Sequence, residues 1–142
     1  MAIYLGNDKV AGGISKQEDN DVYSTEEIKT NKVWIDGKPI YQKVLSFITD
    51  AETYKMKVVD IGVENIDLCF IGPMSVIISS NSADKSLYMV NATRANSDTA
   101  IGSAAHNWFR INANKKSVAY VVGSLVASSQ CYLELYYTKT TD

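Results

Sequence analysis

The stretch KVWIDGKPIYQKVLSF, residues 32–47, decides how the rest of the chain is read. Two runs rich in β-branched and aromatic residues, KVWI and KPIYQKVLSF, are joined by Asp36-Gly37. Such a link is a strong hairpin signal, because a two-residue type I′ turn needs positive φ at both central positions. This reading pairs Ile35 with Lys38 beside the loop, and sets Trp34 opposite Pro39 and Val33 opposite Ile40. Pro39 then occupies a non-hydrogen-bonded position, where its missing N–H costs the hairpin nothing and stops a further strand from pairing. Asp36 serves the shape of the turn, not chemistry.

Downstream the texture stays β. TYKMKVVDIGV (residues 53–63) alternates Tyr54, Met56 and Val58 against Lys55 and Lys57, the period of a half-buried strand. IDLCFIG (66–72) ends on Gly72-Pro73, a turn signal. MSVIISS (74–80) and SLYMVNA (86–92) are short apolar runs, and NWFRINA (107–113) alternates Trp108, Arg110 and Asn112 against Phe109, Ile111 and Ala113. SVAYVVGSLVA (117–127) and QCYLELYYTKTT (130–141) complete the series. In the last run Cys131, Leu133, Leu135 and Tyr137 share one face, with Tyr132, Glu134, Tyr136 and Thr138 on the other. No segment keeps helical apolar spacing over three turns. The expected fold is all-β: an antiparallel β-sandwich or jelly-roll-like head over residues 32–142.

Residues 1–31 read as an N-terminal arm and polar linker. IYLGNDKVAGG (3–13) resembles a miniature hairpin, which alone buries too little and must dock on something. STEE (24–27) has capping-box spacing and predicts a short turn of helix.

Composition narrows function. With 142 residues, 46% hydrophobic and 21% charged, the chain can hold one domain with a substantial core. Its net charge of -2 and scattered lysines provide no basic stripe for nucleic acid. Nine tyrosines against three phenylalanines suit half-wet faces and interfaces. The start has no secretory pattern, and no run has the length of a membrane span. Cys69 and Cys131 read as two buried reduced thiols, with a disulfide left open.

Catalytic patterns are missing. The one histidine, His106, has no metal-ligand spacing around it and no nucleophile elbow to serve. Asp60, Glu64 and Asp67 could form a glycosidase pair, but their IG and EN neighbours favour turn-shaping or a cation contact. No phosphate-cradling loop is present, the Asn91-Ala92-Thr93 sequon means little without a secretory signal, and no cofactor is expected.

At its ends the chain resembles tail and structural proteins of bacteriophages and prophages. YSTEEIKTNKVWIDGKPIYQKVLSF (23–47) is similar to a linker and strand that open the C-terminal β domain of that family. YLELYYTKTTD (132–142) resembles the way such chains finish, VVDIGVENID (58–67) is similar to an interior motif, and IYLGNDKVAG (3–12) to an anchoring motif. Residues 72–116 match nothing in it. The resemblance implies a tail-associated structural protein without enzymatic activity, assembled in the bacterial host cytoplasm and located in the virion tail. It implies a receptor-binding head of a fibre or baseplate, a host-surface glycan as ligand, other tail proteins as partners, and often a homotrimer. A purely structural component is the alternative. Such heads commonly end a longer fibre, so the chain is expected to be a small free-standing virion protein or a shortened piece of a longer one.

The polar loops between Ser79 and Asn107 are the expected receptor site. Trp108 and Tyr88 would stack on sugar, while Arg94, Asn96, Asp98, His106 and Asn107 would bind its hydroxyls. Trp108 opens an alternating strand and fits a core position equally well.

Overall fold

The computed structural model describes residues 22–81, 85–91 and 104–142; the expected N-terminal arm lies outside them. The described residues form nine strands: β1 (Ile28–Val33), β2 (Pro39–Ile48), β3 (Lys57–Asp60), β4 (Ile66–Ile71), β5 (Val76–Ile78), β6 (Leu87–Met89), β7 (Asn107–Ile111), β8 (Ser117–Val122) and β9 (Gln130–Lys139). They make two antiparallel sheets, so the expected all-β sandwich is what the chain adopts. The larger runs β1-β2-β9-β5-β6, with β4 also on β9; the smaller runs β3-β8-β7.

The last strand, β9, organises the larger sheet. One edge pairs with β2 from Gln130 opposite Ile48 to Tyr137 opposite Tyr41. The other edge is shared: β5 takes Gln130 to Tyr132, and β4 takes the stretch from Leu135 to Lys139. The alternation read in the sequence decides its faces. Cys131, Leu133, Leu135 and Tyr137 are all 0% exposed and pack with Phe109, Val118, Tyr120 and Val122 of the smaller sheet. Each fully buried large apolar side chain contributes roughly 1.5–3 kcal/mol through removal from water.

The hairpin exists, but its register differs from the sequence reading. Val33, not Trp34, faces Pro39. Trp34 N donates to Lys38 O (2.8 Å) and Gly37 N donates to Trp34 O (2.9 Å), so the loop has three residues, Ile35, Asp36 and Gly37. Only Gly37 takes positive φ (88°), the arrangement of a type I turn closed by a glycine bulge. The shift leaves Ile35 91% exposed and lets Trp34 reach Phe70 of β4, ring centroids 4.9 Å apart. Lys38 pairs with Asp67 at 2.8 Å, tying the tip to β4. The β2–β9 ladder stops at Tyr41, and Pro39 pairs only with Val33 of β1. Gly37→Ala meets no atom within 4 Å, so its cost is backbone strain alone. A loss of about 1 kcal/mol in urea unfolding is expected, with an unchanged denaturant slope.

Three other expectations shift. In β3 the faces are reversed: Val58 is exposed at 57%, while Val59 packs on the core. Tyr54 has φ of 58°, so the strand starts only at Lys57. Upstream, the strand β1 begins inside the segment read as linker, and Val44 N donates to Ser24 O (2.8 Å), so sheet pairing reaches back to that residue. No helical turn forms at residues 24–27; Ser24 Oγ accepts from Glu26 N (3.0 Å) within a bend.

At one end, buried hydroxyls hold the short 3-10 turn (Ser124–Val126). Thr49 Oγ1 donates to Val126 O (2.6 Å) and accepts from Ser129 N (2.9 Å). The cysteines are free. Cys69 lies opposite Tyr137, whereas Cys131 is six residues earlier on β9. At 3.4 Å per residue that is about 20 Å, far beyond the reach of a disulfide. Burial pushes both thiols up to about 12.

Candidate functional site

The outer face of the larger sheet, turned away from the core, carries a groove built around Glu134. Alternation along β9 sends Tyr132, Glu134 and Tyr136 outward, where Val44 and Gln42 of β2 face Glu134 and Tyr136. An outward glutamate would ordinarily be solvated, yet Glu134 is 2% exposed. The chain crossing from β4 to β5, residues 72–75, folds over it.

That crossing satisfies the backbone as well as the carboxylate. Gly72 N donates to Glu134 O (2.7 Å), and Glu134 N donates to Ser75 Oγ (2.9 Å). Met74 N donates to Glu134 Oε1 (3.0 Å). Glu134 Oε2 accepts from Tyr136 OH (2.8 Å) and from Gln42 Nε2 (3.3 Å). Burial, then the Glu134 carboxylate, pushes the Tyr136 phenol up to about 12. All three donors are neutral, and among the described residues no cation pairs with Glu134. Beside it, the buried Gln42 Oε1 accepts no hydrogen bond. Tyr23, Val44, Met74 and Tyr132 wall a groove of about 200 Å³ above this cluster.

A second polar cluster locks the segment before β1 onto β9. Glu27 Oε1 accepts from Tyr137 OH (2.7 Å) and Oε2 from Lys139 Nζ (2.7 Å), while Lys139 sits 4.4 Å over the Tyr41 ring. Burial raises the Glu27 pKa, but hydrogen bonds from Lys139 and Tyr137 and the charges of Lys139 and Lys43 outweigh it, so the carboxyl lies below its usual value. A carboxyl depressed on folding adds stability above its unfolded pKa, and that stability is lost as pH falls through the folded one. Parent protein is expected to lose a component of stability on acidification below about pH 4.5 that Glu27→Gln lacks. Parallel acid-to-neutral denaturation series would show the two curves separating above that pH; coincident curves would remove the effect.

The residues expected to bind ligand are placed differently. Arg94, Asn96 and Asp98 lie outside the described residues. Trp108 is 1% exposed, opposite Val121, with the Arg110 guanidinium 5.6 Å from its ring centre; it fills the packed position, not an open stacking platform. Asn107 is buried and engaged with backbone: its Oδ1 accepts from Asn91 N (2.8 Å) and its Nδ2 donates to Met89 O (3.3 Å). Tyr88 packs against the core, and the half-buried His106 accepts at its carbonyl from Gly123 N (2.7 Å). The structure thus gathers Tyr88, His106, Asn107 and Trp108 around strand pairing and packing. Tyr23, Tyr132 and Glu134 were not singled out for binding; the one signal was Glu134 between aromatics on the outward face of β9. Of the interior carboxylates, Asp67 pairs with Lys38 and Glu64 lies 3.8 Å from Lys116. Among the described residues no three metal-ligating side chains converge, and no helix is long and apolar enough to cross a membrane.

No family model matches this chain, and neither a curated protein nor a solved structure matches it.

Proposed function

We propose that the chain is a bacteriophage tail-associated protein whose β-sandwich is an attachment head for a host-surface saccharide, acting by binding and not by catalysis. The phage-like motifs at both ends of the sequence supply the context. The groove carries the reading: Tyr23 and Tyr132 offer planar apolar walls, and the Glu134 carboxylate lies at its base. A rigid antiparallel sheet holds Tyr132 and Glu134 in fixed register, which favours recognition over a mobile surface.

The test compares parent protein with Tyr132→Ala and Tyr23→Ala on a glycan array and on host cells. Loss of binding in both variants, with folding retained, is the expected result. Undiminished binding by both would move the site elsewhere.

A structural tail or baseplate role is favoured by a separate observation. Ile48, Leu87 and Met89 are 59%, 67% and 66% exposed on the same outer face, an apolar surface suited to a neighbouring tail protein or subunit. In a homotrimer this face would be covered, so light scattering at a monomer mass across micromolar concentrations would remove the trimer.

A further inference from the structure

Glu134 poses an energetic problem that the fold alone leaves half solved. A carboxylate taken out of water is costly unless paired with a cation, and hydrogen bonds from neutral donors offset only part of that cost. Here the donors are a backbone N–H, a phenol and an amide. The neighbouring Gln42 is 5% exposed and has an acceptor, Oε1, with no partner. The groove therefore has one carboxylate in an otherwise apolar lining, with no cation of the described chain paired to it. Lys43, the nearest lysine in sequence on β2, points to the opposite face and donates to Ile61 O (3.0 Å).

The walls select the same charge. Tyrosine faces attract cations, and Tyr23 and Tyr132 flank the groove while Val44 and Met74 line it with apolar surface. At about 200 Å³ the groove lies below the roughly 300–1,000 Å³ of drug-sized pockets, so one sugar ring fills it. We propose that the groove binds an amino sugar, a hexosamine whose amine is free, with its ammonium directed to Glu134 and its ring against Tyr23 and Tyr132. This rests on the saccharide-binding reading above and specifies its ligand class. An ammonium brings a positive charge and three donors to the carboxylate; an N-acetyl group is neutral, bulkier and has one donor.

Calorimetric titration of the whole chain tests this with three probes: a β-1,4-linked glucosamine tetramer, its fully N-acetylated counterpart, and tetralysine. The glucosamine tetramer is expected to bind about tenfold or more tighter than the acetylated one, as a charged hydrogen bond implies. Glu134→Gln should abolish that preference. Met74→Lys, at a position 61% exposed, should also abolish it by placing a resident ammonium at the groove, and it answers the question if Glu134→Gln fails to fold. Equal binding of the two sugars overturns the amine while leaving saccharide attachment standing. Tetralysine binding as tightly as the glucosamine tetramer overturns the sugar. Binding of neither sugar overturns the proposal, and the glycan array then decides the attachment reading separately.

Discussion

Gly72→Ala is expected to destabilise the protein by about 3 kcal/mol or more, although it adds a single methyl group. A Cβ at this position would stand 2.2 Å from Glu134 Oε1, 2.6 Å from its Cδ and 2.9 Å from its Cγ. No backbone strain is involved, because Gly72 does not take positive φ. The conflict is purely steric, with a side chain held in place by its hydrogen bonds. Swinging the carboxylate aside breaks its bond from Met74 N, leaves the Tyr136 hydroxyl without its acceptor and takes from the Gln42 amide one of its two. Moving the backbone instead disturbs Gly72 N to Glu134 O, the contact that carries the chain from β4 to β5. The pair should therefore be strongly coupled. Glu134→Ala removes the obstructing atoms, so the double variant should lose clearly less stability than the two single losses added together. Urea unfolding of the four proteins measures this; additive losses would mean that the crossing and the carboxylate are independent.

That same crossing explains what the sequence could and could not reveal. The faces of β9 were legible because Cys131, Leu133, Leu135 and Tyr137 alternate without interruption, and a period of two has one structural meaning. Glu134 looked like a solvent-side residue by the same rule. Its burial depends on β4 and β5 sharing one edge of β9, a tertiary arrangement that no local pattern encodes. The hairpin tip was ambiguous for a different reason. Asp-Gly fits both a two-residue loop and the end of a three-residue loop, and the choice is made by Trp34 packing on Phe70, far away in sequence. The faces of β3 depart from the alternation because Met56 and Val58 are exposed apolar residues beside lysines, so hydrophobicity and inward direction part company in so short a strand. Trp108 was the ambiguous member of the expected binding set, and packing decided it: opposite Val121 and beneath Arg110, its ring is already used.

The second large effect is expected at Phe109, where the two sheets meet. Its ring is 0% exposed and stacks on Tyr120, centroids 5.3 Å apart at 12°. Tyr120 in turn tilts against Phe47 of β2 at 5.6 Å, and its hydroxyl accepts from Asp50 N (3.0 Å). Three rings thus run from β7 through β8 to the larger sheet. Phe109→Ala removes the first of them and opens a cavity that neighbours held by strand pairing cannot collapse to fill. The expected loss is about 3–5 kcal/mol, of which about 0.5–1.5 reflects ring stacking beyond buried area. Ile35→Ala removes a comparable apolar side chain from the 91% exposed hairpin tip and should change stability by less than about 0.5 kcal/mol. The contrast separates burial from hydrophobicity as the cause. Near-ultraviolet circular dichroism during urea unfolding reports on the tyrosine packing directly. A Phe109→Ala loss below about 1 kcal/mol would mean that the smaller sheet does not depend on this ring stack for its attachment. A domain whose stability totals about 5–15 kcal/mol would otherwise forfeit a large share of it through one side chain.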